Sequence, residues 1–268
     1  MEPWKSELVH DSLVITGGGS GIGRATALEA ARTGARVHVL GRGAEALQET
    51  VRLAAELPGA VIAHVGDVRD PASLDSAWLE MEAEGDPPQA MVNAAAALEY
   101  TPAAELTPEA FAAVVESVLL GAFNVLHRWA QPLIASSSPG TAVFLTSCIA
   151  AAGTPGAAHS SASKAGVEAM VRTIAREWGS FGIRLNAVGP GFFPVERTRS
   201  MWEDEGVSGP IRDVIALGRG GELDEVSGPI MFLLTKAAGY VTGEVLVPDG
   251  GFRLTPHVVP RWKFEAAD

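Results

Sequence analysis

A glycine-rich segment near the N-terminus has the composition and spacing of a phosphate-binding loop. Residues 16–23 read TGGGSGIG and separate a predicted strand from a predicted helix. A phosphate approaches backbone N–H groups at a helix N-terminus most closely where side chains do not intervene. A merely flexible turn is the alternative, but the position at the first strand–helix junction favours dinucleotide binding. The predicted cofactor-binding residues of this loop are Gly17, Gly19, Ser20, Gly21, Ile22 and Gly23.

The end of the second predicted strand indicates which dinucleotide would bind. An acidic residue at this place selects NAD, because its carboxylate hydrogen-bonds the ribose hydroxyls. This chain has Leu40-Gly41-Arg42 instead, and a guanidinium can pair with a 2′-phosphate and stack on adenine. We therefore predict NADP(H), bound by Arg42 with help from Arg24. The alternative is that both arginines are solvated surface side chains.

The glycine spacing and several further motifs resemble the short-chain dehydrogenase/reductase family. The loop has the spacing Gly-x-x-x-Gly-x-Gly, which differs from the Gly-x-Gly-x-x-Gly of ordinary dinucleotide-binding folds. The resemblance runs from about Leu13 to Phe252, and it implies that residues after strands three, four and six line the cofactor site. The segments that carry it are Asp67-Val68, Asn93-Ala94-Ala95-Ala96, Ser147, Ser160 to Gly166, Pro190-Gly191 and Pro248-Asp249-Gly250-Gly251.

The resemblance also implies an active site in which two usual residues are replaced. In the family, a Tyr four residues before a Lys acts as acid or base. The Lys holds the nicotinamide ribose, and a Ser near the end of strand five hydrogen-bonds the substrate carbonyl. Lys164 and Ser147 are in place, but Ser160 stands at the Tyr position and Val118 at that of a catalytic Asn. A phenol titrates near pH ~10, whereas an aliphatic hydroxyl is a far weaker acid, so Ser160 cannot replace the Tyr unchanged.

The Ser-x-x-x-Lys pattern resembles one branch of the family, the 2,4-dienoyl-CoA reductases. Residues 161–170, 177–179 and 240–247 are similar to that branch. The resemblance implies that hydride goes to a conjugated carbon and that hydrogen bonds hold the dienolate oxygen until a carbon is protonated. Ser147 and Ser160 are the predicted donors of those bonds.

The acid of the reaction has no obvious candidate. Some members of this branch have a Tyr about eleven residues before the Ser, but residues 148–151 read CIAA. Tyr100 lies in the loop after strand four, which borders the substrate site in folds of this kind. We therefore predict Tyr100 as a catalytic residue, with a surface or interface Tyr as the alternative.

For other polar side chains near these motifs, the sequence gives weaker grounds for a catalytic or binding role. His159 titrates near neutral pH, but it lies off the catalytic face of its helix, which favours capping or packing. Cys148 is expected to be a buried small side chain rather than a nucleophile. Arg197 and Arg199 would meet the phosphates of CoA or a carrier, or else lie in a solvated loop. No metal site is predicted.

The elements that must position these residues alternate between short apolar runs and amphipathic stretches. This alternation predicts βαβ units and a parallel sheet covered on both faces. We predict a single α/β domain, residues 1–268, with a Rossmann-like doubly wound sheet of seven strands. Residues 192–221 are a predicted substrate lid, and residues 254–268 a tail. The predicted strands are residues 12–16, 36–40, 61–65, 90–93, 143–146, 183–188 and 245–247, and the predicted helices are 22–33, 44–57, 71–84, a long helix after 107, 160–178 and 221–234.

Composition excludes several classes of protein. The 268 residues are 47% apolar and 19% charged, which is typical of a globular chain rather than a disordered one. The net charge of −12 leaves no basic surface for nucleic acid, and one Cys excludes a disulfide framework. We recognise no signal peptide or membrane span, so a cytoplasmic location is predicted. The family resemblance implies a homo-oligomer, a tetramer.

Three functions remain open on these residues. The first is an NADPH-dependent reductase of a conjugated carbonyl, such as an enoyl or dienoyl thioester. The second keeps the fold without net redox chemistry and performs a cyclisation, isomerisation or dehydration of a biosynthetic intermediate. The third is a catalytically inactive nucleotide-binding protein, because a fold of this kind does not fix its function.

Overall fold

A computed structural model of the chain describes residues 8–85, 87–95 and 100–254. Seven strands form one sheet, and all neighbouring strands run parallel. The predicted α/β fold is therefore confirmed, while the predicted tail lies outside the described residues except for Leu254. The strands are β1 (Ser12–Thr16), β2 (Arg36–Gly41), β3 (Ala60–Val65), β4 (Ala90–Asn93), β5 (Gly140–Leu145), β6 (Ile183–Val188) and β7 (Val245–Leu246).

Helices cover both faces of this sheet, as expected for parallel strands joined by crossovers. In the described part of the chain the α-helices are α1 (Gly21–Arg32), α2 (Ala44–Leu53), α3 (Pro71–Ala83), α4 (Pro108–Val115), α5 (Gly121–Ser136), α6 (Ala158–Trp178), α7 (Arg199–Glu203), α8 (Glu205–Val214) and α9 (Leu223–Leu234).

The strand order places a binding crevice between β1 and β4. The order is β3-β2-β1-β4-β5-β6-β7, so the chain reverses its direction of growth at this point. Thr16 at the end of β1 pairs in register with Asn93 at the end of β4. Ligands of open parallel sheets bind outside the carboxyl ends of the strands at such a switch point. The loops that follow β1 and β4 are therefore placed to form a site together.

Side chains alternate between two apolar layers, one on each face of the sheet. Leu13 and Ile15 pack on one face, in the layer that contains residues of α1 and α9. Val14 points to the other face, in the layer of Trp78 and Trp129. Both layers are buried, which explains why the strands are mainly apolar in the sequence.

The long helix predicted after Thr107 is confirmed, and it contains one wide turn. Thr107 caps α4, because its hydroxyl accepts a hydrogen bond from the Ala110 N–H at 3.2 Å. A π-helical turn, Glu116–Leu120, joins α4 to α5. The combined helix, Pro108–Ser136, is long and apolar enough to cross a membrane by length and composition alone. Its inner face is nevertheless packed in the core, where Leu126 is fully buried.

The predicted lid, residues 192–221, contains the two short helices α7 and α8, which the apolar pattern did not predict. Asp204 caps α8 by accepting a hydrogen bond from the Gly206 N–H at 2.8 Å. Gly209 and Pro210 lie inside α8, and both residue types are unfavourable in a helix interior, so the sequence argues against a helix there. Whether this segment closes over a substrate stays a prediction.

Candidate active site

Two adjoining cavities lie at the carboxyl ends of the strands, on either side of the glycine-rich loop. The first, of about 240 Å³, extends from Gly17 and Ser20 toward the ends of β2 and β3. The second, of about 320 Å³, extends from the same two residues toward β5 and α6. Because Gly17 and Ser20 line both, the cavities form one continuous cleft across the switch point. Its shape suits an extended ligand that lies over the loop.

Glycine is required in the loop because the backbone is left-handed at two positions, Gly17 and Gly21, and crowded at others. Gly17 has φ +68°, and a Cβ there would lie 2.8 Å from the Ala94 carbonyl oxygen. A Cβ on Gly23 would press against the carbonyl oxygen of Gly17. The loop therefore packs closely on itself and on the segment after β4, which leaves its outer side open to a ligand. All six predicted loop residues line the cleft.

The first cavity holds Arg42 and Asp67 on its far side. Arg42 is exposed and follows directly on β2, with no acidic residue at the end of the strand. Asp67 accepts a hydrogen bond from Arg69 Nη2 at 2.6 Å. This hydrogen bond lowers the pKa of Asp67, and the charge of Arg42 acts in the same direction. Asp67 is thus an anion, and Val68 and Ala95 complete the lining as predicted.

Arg24 does not line the first cavity, contrary to our expectation of a second contact for the 2′-phosphate. Its guanidinium turns back on the protein instead. Nη1 donates to Glu196 Oε1 at 2.7 Å, and Nη2 donates to the carbonyl oxygen of Gly19. Its Nε also donates to Thr50 Oγ1 on α2 at 3.2 Å, so the guanidinium is occupied by partners within the protein.

Asn93 lies beneath the cleft rather than in its lining, so the predicted direct contact with a cofactor has no support from its position. Its Oδ1 accepts a hydrogen bond from the Thr16 hydroxyl at 2.5 Å. The same hydroxyl oxygen accepts from the Ala95 N–H at 3.2 Å. Asn93 is buried, and these bonds hold the ends of β1 and β4 together. Its neighbours Ala94 and Ala95 line the cleft.

The second cavity brings together Ser147, Ser160 and Lys164. Ser147 follows β5, while Ser160 and Lys164 lie one turn apart on α6. Lys164 is only 7% exposed, and its Nζ donates to the carbonyl oxygen of Leu145 at 2.5 Å. Pro190 and Gly191 form part of the same wall, as predicted. The cavity therefore offers two hydroxyls and one ammonium group to a bound molecule.

Tyr100 is not brought into this cavity. It is 57% exposed, and its ring lies against Gly156, where an added Cβ would be 3.5 Å from Cδ1. The next residue is held against the same glycine, because the Thr101 N–H donates to the Gly156 carbonyl oxygen at 2.8 Å. In the described residues, neither cavity has a Tyr in its lining. The predicted catalytic role of Tyr100 thus has no support from its position.

His159, Cys148 and Val118 are buried and take no part in the cavity lining. His159 Nδ1 accepts the Ser160 N–H at 2.9 Å, which agrees with a capping role. Burial raises the pKa of Cys148 to about 11, so this thiol stays neutral. Val118 lies in the π-helical turn, and its side chain brings no polar group to the site.

Sequence reasoning missed several lining residues, above all Glu196. Glu196 and Val195 border the second cavity from the predicted lid, and Ser117 borders the first from the π-helical turn. No local pattern singles out Glu196, because its partner Arg24 is 172 residues away along the chain. Thr146 could have been found, since it is adjacent to Ser147 at the end of β5. Among the described residues, no cluster of three His, Cys, Asp or Glu could hold a metal ion.

Comparisons with known proteins agree with this architecture. A family model described as enoyl-(acyl carrier protein) reductase matches residues 17–253. A probable 2,4-dienoyl-CoA reductase of Bacillus subtilis (strain 168) is 38% identical over 251 residues, which is 92% of this chain and 98% of that protein.

Solved structures show the same fold. A short-chain type dehydrogenase/reductase from Mycobacterium ulcerans superposes with a TM-score of 0.88 at 27% identity, over 93% of this chain and 92% of that one. A variant of actinorhodin polyketide ketoreductase, solved with NADPH, gives 0.86 at 27% identity, over 92% and 99%.

Proposed function

Because the chain belongs to the short-chain dehydrogenase/reductase family, we propose that it is an NADPH-dependent reductase of a conjugated carbonyl, such as an enoyl or dienoyl thioester. One observation carries the proposal. Ser147, Ser160 and Lys164 line a cavity continuous with the glycine loop, and no Tyr of the described residues lines it. The relative named as a probable 2,4-dienoyl-CoA reductase supports the same substrate class.

The residues of the cleft fit a dinucleotide. The N–H groups of Gly19 and Ser20 have no acceptor within the described chain, and they lie at the N-terminus of α1, where an anion is favoured. Arg42 would hold the 2′-phosphate, Asp67 and Val68 would border the adenine, and Lys164 would hold the nicotinamide ribose. When bound, NADPH supplies a hydride, which a conjugated system accepts at carbon.

The cavity residues are suited to an oxygen that gains negative charge without needing a proton at once. Ser147 and Ser160 each carry an O–H that can donate to the carbonyl oxygen of a thioester. The buried ammonium of Lys164 favours negative charge nearby. Reduction of a simple ketone would instead create an alkoxide that must be protonated, and a serine hydroxyl is a poor acid for that step. The arrangement therefore favours conjugated thioesters over isolated ketones.

The deciding experiment mixes the protein with NADPH and, separately, a dienoyl-CoA, an enoyl-CoA and a simple ketone. We expect NADPH oxidation, followed at 340 nm, with a conjugated thioester and little or none with the ketone. Mass spectrometry should find a product heavier by two hydrogen atoms. Oxidation with the ketone alone would contradict the proposed substrate class, and no oxidation with any substrate would contradict the proposed reaction.

The cofactor preference is tested by equilibrium binding. The fluorescence of NADPH and NADH reports binding without turnover, and we expect NADPH to bind more tightly. Arg42→Leu should remove this preference by weakening NADPH binding, because the guanidinium no longer meets the 2′-phosphate. Equal affinity of the unaltered protein for both nucleotides would contradict the assignment of NADPH.

A second candidate function rests on the same two replacements in the active site, Ser160 for the family's usual Tyr and Val118 for its usual Asn. With Ser160 at the usual Tyr position and Val118 buried in the π-helical turn, the usual groups that protonate a reduced carbonyl are replaced, and a non-redox isomerisation, cyclisation or dehydration would need no hydride transfer. Turnover without NADPH would favour this function. Nucleotide binding without turnover on any tested substrate would favour an inactive nucleotide-binding protein.

A further inference from the structure

The phosphate loop is held from behind by two side chains that the proposed chemistry does not use. Thr50 on α2 is fully buried, and its hydroxyl donates to the Gly18 carbonyl oxygen at 2.9 Å. Arg24 on α1 donates through Nη2 to the carbonyl oxygen of Gly19. The two residues also contact each other, because Arg24 Nε donates to Thr50 Oγ1 at 3.2 Å.

These contacts determine where the loop amides point. The described chain contains no cis peptide bonds, and in a trans peptide the carbonyl and the following N–H point in opposite directions. Holding the carbonyls of Gly18 and Gly19 against α1 and α2 turns the N–H groups of Gly19 and Ser20 the other way. Both of these residues line the cleft. Arg24 and Thr50 thus orient the amides to which a pyrophosphate would bind.

Arg24 also connects this loop to the segment that borders the substrate cavity. Its Nη1 lies 2.7 Å from Glu196 Oε1, and Glu196 lines the second cavity. The adjoining Val195 packs over the loop, since a Cβ on Gly21 would lie 3.5 Å from Val195 Cγ1. Glu196 is 55% exposed, so the ion pair contributes little to overall stability. Its effect is to fix one loop relative to the other.

We propose that Arg24 is a positioning residue that couples the two halves of the cleft. Together with Thr50 it orients the amides of the glycine-rich loop. Through Glu196 it makes cofactor binding depend on the position of residues 194–196, and the position of those residues depend on cofactor binding. This inference rests on the proposed nucleotide binding. Coupling of this kind is reciprocal, so a substrate that seats the segment strengthens cofactor binding by the same factor.

The test measures dissociation constants of NADPH and NADH by fluorescence, without substrate. A loop-positioning role predicts that Arg24→Met weakens the binding of both nucleotides about tenfold. This factor corresponds to the loss of one hydrogen bond to a charged group. The NADPH-to-NADH preference should stay unchanged. Thr50→Val should behave in the same way. Arg42→Leu is the matched control, because it should change the preference. If Arg24→Met weakened NADPH alone, Arg24 would contact the 2′-phosphate and the inference would be wrong.

Glu196→Gln tests the coupling separately, because an exposed side chain can be changed without unfolding the protein. We expect weaker NADPH binding, by about threefold for an exposed ion pair, and no further loss when it is combined with Arg24→Met. Glu29→Gln is the matched control, since it breaks the other exposed ion pair of α1, with Arg32 at 2.7 Å, and should change nothing. Additive losses, or no effect of Glu196→Gln, would overturn the coupling.

Two further measurements, the melting temperatures of the variants and nucleotide binding by the unaltered protein, distinguish the possible outcomes. Melting temperatures identify any variant that fails to fold, and Arg24→Lys, which keeps the charge but not the planar fork, replaces Arg24→Met in that case, with the same expected loss. If the unaltered protein bound neither nucleotide, the proposed function itself would fall. If the unaltered protein bound both nucleotides and the Arg24 variants bound them equally tightly, only the positioning role of Arg24 would be contradicted.

Discussion

At the scale of single residues, the substrate cavity depends on hydroxyl groups rather than on a phenol. Ser160 and Lys164 share one face of α6, and Ser147 meets them from the loop after β5. A hydroxyl can hold a developing oxyanion by a hydrogen bond, but it gives up its own proton poorly. In the proposed reaction, we therefore expect the site to discriminate between substrates by how basic their oxygen becomes.

Removing the hydroxyl of either Ser147 or Ser160 should slow the reaction without weakening the binding of the cofactor. We expect Ser147→Ala and Ser160→Ala each to lower kcat with a conjugated thioester by about 10²- to 10³-fold, the usual effect of one oxyanion donor. Lys164→Ala should lower kcat and also raise the Kd of NADPH. Steady-state kinetics and nucleotide fluorescence check both effects.

Ser161→Ala is the matched control for this series. Ser161 is the neighbour of Ser160 and is buried, but its Oγ has no hydrogen-bond partner among the described residues and it does not line the cavity. Its kcat should equal that of the unaltered protein. Unchanged kcat in Ser160→Ala would contradict the role of that hydroxyl.

The single thiol should be chemically inert. Burial raises the pKa of Cys148 to about 11, and only the thiolate reacts readily. We expect no alkylation of the native protein by iodoacetamide at pH 8 and rapid alkylation after denaturation, measured by intact mass. Fast labelling in the native state would show that the thiol is accessible and ionised.

At the scale of elements, two strands and a helix are joined by a chain of hydrogen-bonded side chains that runs from two buried histidines to an exposed carboxylate. His38 on β2 and His64 on β3 are joined by a 2.9 Å hydrogen bond between Nδ1 and Nε2. His64 Nδ1 lies 3.0 Å from the carboxylate of Glu80 on α3. Since a carboxylate accepts, His64 donates to Glu80 and accepts from His38. His38 Nε2 then has no partner among the described residues.

These hydrogen-bonded side chains make the stability of the fold sensitive to mildly acidic pH. Burial lowers the pKa of His38 to about 4, and the nearby charges of His64 and Arg36 act in the same direction. The unfolded state takes up a proton near the ordinary pKa of about 6.5, while folded His38 resists until about 4. Its stabilising contribution is therefore complete above pH ~6.5 and is lost as the pH falls toward 4.

We expect the melting temperature to fall more steeply between pH 7 and pH 5 in the unaltered protein than in His38→Leu. Each unit of pKa difference corresponds to about 1.4 kcal/mol of stability. His127→Leu is the control, because His127 is exposed on α5, and its profile should follow that of the unaltered protein. Parallel profiles for His38→Leu and the unaltered protein would contradict this account.

At the scale of the whole molecule, the helix Pro108–Ser136 exposes three large apolar side chains on its outer face. Phe111, Leu120 and Phe123 are 37%, 51% and 45% exposed, although the inner face of the same helix is packed in the core. A membrane span would need an apolar surface all round, whereas Arg128 pairs with Asp75 and Glu82. We propose that this face meets the same face of a second copy, as in a two-fold interface.

Light scattering during gel filtration tests this proposal. We expect an oligomer that becomes smaller in Phe123→Glu, because a buried unpaired charge opposes association. Leu79→Glu, at an exposed apolar side chain on α3, should leave the oligomer intact. A monomeric unaltered protein would contradict self-association, and flotation with lipid vesicles would indicate a membrane partner instead.

The sequence by itself determined the fold and the position of the cofactor loop. The bounds predicted for β1, β4 and β6 are those observed, because buried parallel strands are continuous apolar runs bounded by turn residues. The glycine loop was recognisable because close backbone packing excludes side chains, and that requirement is written directly in residue types. The family resemblance singled out Lys164 and Ser160, and their four-residue spacing on a helix predicted that they share one face.

Only the tertiary structure decided which polar side chains meet. Arg24 seemed suited to a phosphate, but its partners are a loop carbonyl and Glu196, which is 172 residues distant. Asn93 belongs under the cleft, and Tyr100 packs on Gly156 outside it. The two short helices near Asp204 were missed because α7 has only five residues and α8 contains Gly209 and Pro210, which are unfavourable in a helix. Contacts between distant segments depend on how elements pack, and no local pattern records that packing.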